Sequence, residues 1–162
     1  MITLHLMRHA KSDWDGGEAD HDRPLAPRGE RAAAAMAVYC RQQGIAPDFV
    51  LCSSARRTRD TLEILRAGLP EGVPVETTRD IYMASAAQLV ARLKSIPVRA
   101  RVALVIGHNP GMEDAVGLLT GAGVGVKFPT CALATLEAAS GWAALAPKGA
   151  DLRRFITPKD LV

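Results

Sequence analysis

Val102-Ala103-Leu104-Val105-Ile106-Gly107-His108-Asn109-Pro110-Gly111 runs through aliphatic residues without a polar break and then turns on Gly, Asn and Pro. A strand that is apolar at every position, rather than at alternate ones, is expected where a sheet is covered on both faces. That is the mark of α/β architecture. The turn leads into a helix near Glu113 to Leu119. His108 and Asn109 therefore stand at the carboxyl end of a central strand, the place where open α/β sheets bind ligands.

Working outward, Ile2-Thr3-Leu4-His5-Leu6-Met7 reads as a buried first strand, ending in Arg8-His9. An acidic, Gly-containing loop follows, from Asp13 to Pro24. The alanine-rich stretch Arg31 to Arg41 favours helix, with Pro27 near its start and Gly44 just past its end. Phe49-Val50-Leu51-Cys52 is a second buried strand, closed by Ser53-Ser54, and a helix is expected from about Ala55 to Ala67. Pro74 to Thr78 forms a shorter strand, and Ser85 caps a helix through Leu89, Val90 and Leu93 that Pro97 ends. Gly121 to Gly125 is a flexible connector; it follows a helix and has the wrong spacing for a dinucleotide fingerprint. Two last strands, near Ala132–Leu136 and Trp142–Leu145, pair as a hairpin about Ser140-Gly141. The alternation of strand and helix predicts one α/β domain over residues 1–162. Its mostly parallel central sheet carries helices on both faces and a C-terminal hairpin.

Composition narrows the function. The 162 residues suffice for a core without metal or disulfides, and 48% hydrophobic with 23% charged residues argues against disorder. Aromatics make up only 4% and are scattered, too few for base stacking on nucleic acid. The net charge of +3 comes from interleaved charges, which suits a small anion better than a polyanion. No apolar run reaches a membrane span and the N-terminus lacks a secretory signal. Cys40, Cys52 and Cys131, odd in number and far apart, read as buried reduced thiols. The expectation is a cytoplasmic protein without nucleic-acid or membrane partners.

Three strand ends carry Arg8-His9, Ser53-Ser54 followed by Arg56-Arg57, and His108-Asn109. Arg56, Arg57 and Arg59 crowd the positive end of their helix, an arrangement that a bound anion would turn favourable. At about 100° per residue the core stripe runs through Thr58, Thr61, Leu62 and Leu65. Arg57 borders that stripe most closely, Arg59 comes second, and Arg56 points away. Two histidines with arginines and no carboxylate cluster do not make a metal site, so neither metal nor cofactor is expected. Forked guanidinium donors suit a tetrahedral oxyanion. The chemistry most consistent with the set is phosphoryl transfer with a histidine attacking phosphorus.

These residues match a family. Leu6-Met7-Arg8-His9-Ala10 resembles the Arg-His-Gly signature of the histidine phosphatase superfamily, the phosphoglycerate mutase-like fold. Ser53-Ser54-Ala55-Arg56-Arg57-Thr58-Arg59-Asp60-Thr61 is similar to its Ser-Pro-x-x-Arg-Ala-x-Gln-Thr segment, and Gly107-His108-Asn109-Pro110 to its second-histidine motif. Pro24-Leu25 and Phe128-Pro129-Thr130 extend the likeness along the chain, and the short length without an inserted cap is most similar to SixA-type phosphohistidine phosphatases. The resemblance implies His9 as nucleophile, forming a phosphohistidine intermediate, with Arg8, Arg57 and His108 holding the phosphoryl oxygens. Lys11, Ser12 and Asn109 stand close enough to contact substrate.

Ala10 replaces the signature glycine and Asp60 the glutamine. Ester-hydrolysing members place a glutamate general acid roughly where Asp80-Ile81-Tyr82-Met83 falls, which leaves Asp80, with Glu113 as the other candidate acid. An alcohol leaving group needs that proton, worth about 10²–10⁴-fold, and an imidazole leaving group needs it far less. The expectation is a phosphatase acting on phosphohistidine in a protein. The alternatives are a phosphatase of small phosphate esters or a non-catalytic phosphate-binding protein. His5, His21, Trp142 and the loop residues Asp13, Trp14 and Asp15 are read as structural or solvated.

Overall fold

A computed structural model describes residues 1–122, 125 and 127–162. Six strands form one sheet: β1 (Ile2–Arg8), β2 (Phe49–Ser53), β3 (Val75–Thr78), β4 (Val102–Gly107), β5 (Leu133–Ala138) and β6 (Ala150–Ile156). Four helices connect them: α1 (Pro27–Gln42), α2 (Arg56–Leu65), α3 (Ala86–Leu93) and α4 (Gly111–Thr120). The strand order is β3-β2-β4-β1-β5-β6, with β3, β2, β4 and β1 parallel and β5 and β6 antiparallel at one edge. The mixed α/β class with a mostly parallel sheet is as the sequence predicts.

Burial explains the sequence pattern. The central strand β2 is buried at every position and β4 at all but its first, so both are apolar throughout. Edge strand β3 has no buried residue and reads accordingly as Val-Glu-Thr-Thr. Helix α1 buries Ala33, Met36, Ala37 and Cys40, one stripe at helical spacing, and packs with α2 over Met7, Leu104 and Ile106 on one face. Helices α3 and α4 cover Leu4, Leu6, Ala103 and Val105 on the other. Past the end of α1, Gly44 adopts φ +65°, a left-handed conformation that costs glycine little. Ser85 and Gln88 form a reciprocal capping box at the start of α3. Cys40, Cys52 and Cys131 are free and buried, and burial pushes each thiol up to about 12.

The hairpin needs correction. β5 lies close to its expected place, but Trp142–Leu145 is not a strand; Trp142–Ala144 is a short 3-10 turn and β6 begins only at Ala150. The Trp142 indole N–H donates to the Ala100 carbonyl at 2.7 Å, anchoring a buried plug rather than a ladder. β6 carries a register shift opposite Thr135/Leu136, where Arg153 is the extra residue. Such a bulge breaks the alternation by which an edge strand is recognised. The expected Gly121–Gly125 connector lies partly outside the described residues; Gly121 itself closes α4 in the left-handed region.

Candidate active site

Strand register brings the three predicted ends together. Arg8 pairs with Gly107 and Cys52 with Ile106, so Arg8, Ser53 and His108 emerge side by side from adjacent parallel strands. Above them lies a cavity of about 200 Å³, lined by Arg8, His9, Lys11, Ser12, Trp14 and Asp20, and by Arg23, Arg57, Met83, His108, Asn109 and Thr130. Every residue expected to act on or touch substrate is in that wall. The two candidate acids are not.

His9 is buried, and its Nδ1 lies 2.7 Å from the Ala10 carbonyl oxygen. A carbonyl only accepts, so Nδ1 carries the proton and Nε2 of the neutral ring keeps its lone pair. Burial is the main cause that depresses the ring's pKa from 6.5 to about 4; the Ala10 bond opposes it, and Arg57, Arg8 and Arg23 reinforce it. The backbone is fixed as well. His9 N–H donates to Gly107, and Ala10 N–H donates to the Thr61 hydroxyl, which in turn donates to the Arg57 carbonyl. The buried threonine stripe of α2 thus ties the loop after β1 to the turn that carries Arg57.

Within α2 only Arg57 turns inward, at 2% exposure, while Arg56 pairs with Asp60 outside and Arg59 reaches back to the Ser54 carbonyl. Arg57 Nη2 approaches His108 Nδ1 at 3.3 Å. A guanidinium only donates, so Nδ1 accepts and His108 Nε2–H donates to Ser53 Oγ at 2.7 Å. Burial first, then His9 and Arg57, hold His108 neutral with a pKa of about 3. The His9 and His108 ring centroids are 5.3 Å apart.

Arg8 donates Nη1 to the Phe128 carbonyl. Its Nε, like that of Arg57, is buried without a hydrogen-bond partner. An orphaned buried donor costs about 1–3 kcal/mol, and both belong to arginines that line the one cavity. Asn109 is pinned from both ends: its amide donates to Phe128 O and its carbonyl accepts from the Glu113 N–H. Glu113 accepts from the Phe128 N–H, so it braces the segment behind Arg8. Asp80 lies outside the cavity, its carboxylate 67% exposed and paired with Arg92.

Three residues carry more of the site than their sequence context suggests. Arg23 is buried, donates to Ser12 Oγ at 2.7 Å and stacks 3.4 Å from the Trp14 ring. Asp20 joins Arg23, Arg57 and the Tyr82 hydroxyl, and Tyr82 packs edge-on against His108. The available signal was a lone arginine closing an acidic loop. His21, by contrast, braces the rim, bonded to Ser54 Oγ and packed on Tyr82, and His5 bonds Thr135 away from the cavity.

The sequence model of the histidine phosphatase superfamily, branch 1, matches residues 4–82. The Mycobacterium leprae protein ML1117, described only as uncharacterized, is 35% identical over 165 residues, spanning 94% of this chain and 100% of its own. A Nakamurella multipartita structure described as phosphohistidine phosphatase SixA superimposes with a TM-score of 0.85 at 32% identity, covering 97% of this chain and 96% of that one. A structure from Agrobacterium tumefaciens, described in the same way, gives 0.84 at 26% identity over 97% and 98% of the two chains. Both the matched profile and the full-length likeness therefore place this chain in the histidine phosphatase superfamily, branch 1, as a SixA-like phosphatase.

Proposed function

We propose that this phosphatase acts on phosphohistidine carried by a protein, with His9 as nucleophile. His9 Nε2 attacks phosphorus as the P–N bond to the substrate imidazole breaks, and the electron pair leaves with that ring. A ring already protonated on its other nitrogen departs neutral and needs no acid from the enzyme. The Arg8 and Arg57 guanidinium groups, both in the cavity wall, take the phosphoryl oxygens and stabilise the spreading charge. His108 faces the same oxygens. Water then hydrolyses the phosphorylated His9, returning the neutral ring and inorganic phosphate.

One observation carries the choice of substrate. Among the described residues that line the cavity, Asp20 is the single carboxylate, and it is kept ionised, its pKa lowered to about 2, first by the Tyr82 hydroxyl and further by Arg57 and Arg23. A carboxylate in that state has no proton to give an alkoxide. Imidazole leaves without one, which supports phosphohistidine over a phosphate ester.

The test compares kcat/KM for a phosphohistidine peptide with a panel of sugar phosphates, and traps labelled phosphate on the enzyme. His9→Ala is expected to lose at least about 10³-fold in turnover and all acid-labile label. Ester turnover equal to or above that of the peptide would overturn the substrate assignment. Full turnover by His9→Ala would overturn the nucleophile.

A further inference from the structure

The arginine assigned to grip phosphate is already gripping an anion. Arg57 Nη1 donates to the Asp20 backbone carbonyl at 2.7 Å, and Nη2 lies 3.1 Å from the Asp20 carboxylate. The other carboxylate oxygen takes Arg23, through Nε and Nη2, both at 3.2 Å. The Tyr82 hydroxyl completes the set. Asp20 sits on a short 3-10 turn, Asp20–Asp22, at the cavity wall, and its side chain is 45% exposed. It is anchored by its partners rather than by burial.

We infer that Asp20 is a specificity-determining residue: a built-in anion on Arg57 that weakens the pocket's hold on free phosphate, so that the product leaves. The inference rests on the reading that a phosphoryl group binds beside Arg8, Arg57 and His108. Arg8, Arg23, Arg57 and Lys11 line a small cavity, and without a counter-charge that many cations would retain a dianion tightly. The Asp20 carboxylate offsets part of that field at the one guanidinium that also touches His108. A phosphoryl group must share Arg57 with Asp20 or take Nη2 from it, and the contact reforms as phosphate departs. The same charge disfavours phosphate esters with a second anionic group while leaving a cationic imidazole unopposed.

The direction of the effect separates this role from a structural one. If Asp20 only held Arg57 in place, its loss would loosen phosphate binding. As a competing anion, its loss tightens it. Inorganic phosphate binding is measured by calorimetry on wild type, Asp20→Asn and Asp20→Glu at fixed ionic strength, alongside product inhibition of turnover. Asp20→Asn is expected to bind phosphate roughly tenfold more tightly and to show matching stronger product inhibition. Asp20→Glu, which keeps the charge, is expected to stay near wild type. Weaker or unchanged binding in Asp20→Asn overturns the inference and leaves the phosphatase reading intact. Absence of phosphate binding in all three proteins sinks both.

Discussion

Ser53 determines what His108 can do. Its hydroxyl accepts the Nε2 proton at 2.7 Å, so the neutral ring presents Nδ1 as an acceptor to Arg57. That suits an empty pocket and is wrong for an occupied one, because a lone pair repels phosphoryl oxygens. If the phosphoryl group binds beside His108 as proposed, the arriving dianion raises the lowered His108 pKa so that Nδ1 takes up a proton and donates. Sulfate, which does not titrate near neutrality, is the clean probe. Its binding near pH 6 is expected to consume protons, seen as a dependence of calorimetric heat on buffer ionisation enthalpy, and His108→Gln to abolish that dependence. Equal heats in all buffers for wild type would refute the coupling. Ser53→Ala removes the acceptor and frees the ring to change tautomer. We expect about tenfold lower kcat/KM with His9 labelling retained.

Among the elements, α1 positions the site without entering it. Gly29, in its first turn, is buried, and a Cβ there would meet the Lys11 carbonyl at 2.1 Å and the Lys11 nitrogen at 2.8 Å. The helix thus lies directly on the loop that follows His9, and the Ala26 N–H donates to that same carbonyl. Gly29→Ala must push the loop or the helix away. The expected cost is about 1–3 kcal/mol in urea unfolding, with kcat/KM falling further than the folded fraction does. Unchanged stability would mean that the helix and loop are free to separate. The same element shows why so much was legible in the sequence. Its alanine-rich stretch, with Pro27 near the start and Gly44 past the end, favours helix, and the continuous apolar strands can only be central. Once those strands are parallel neighbours, their ends must meet, and Arg8, His9, Ser53, Arg57 and His108 follow. What escaped has no period. Arg23 and Asp20 reach the cavity from an irregular loop whose path is set by stacking on Trp14 and bonding to Ser12. Strand β6 was hidden by its bulge, and Trp142 mimicked a strand residue while serving as a plug.

At the scale of the whole molecule, burying three neutral histidines makes stability depend on pH in one direction. His5 and His9 are lowered to about 4, and His108 to about 3, each chiefly by burial. Each unfolded ring takes a proton as pH falls through its ordinary value of 6.5, while the folded ring does not until pH approaches its own lowered value. The unfolded chain therefore binds more protons across that window, and stability rises with pH there. Above pH 6.5 the contribution is complete; going down toward pH 4 it is lost, by up to about 1.4 kcal/mol per pH unit for each ring. Asp20, lowered from 3.8 to about 2, adds its own loss only below that window. Urea unfolding at pH 7.5, 6.0 and 5.0 is expected to show a clear fall over the first interval and a steeper fall per pH unit over the second. His5 lies outside the candidate active-site cavity, bonded to Thr135, so His5→Gln separates the effect from events at that site. That variant is expected to reduce the slope between pH 6 and 5 by about a third, whatever its stability at pH 7.5. A slope that His5→Gln leaves unchanged would place the titration elsewhere, and a flat profile to pH 5 would mean that these rings are charged in the folded protein.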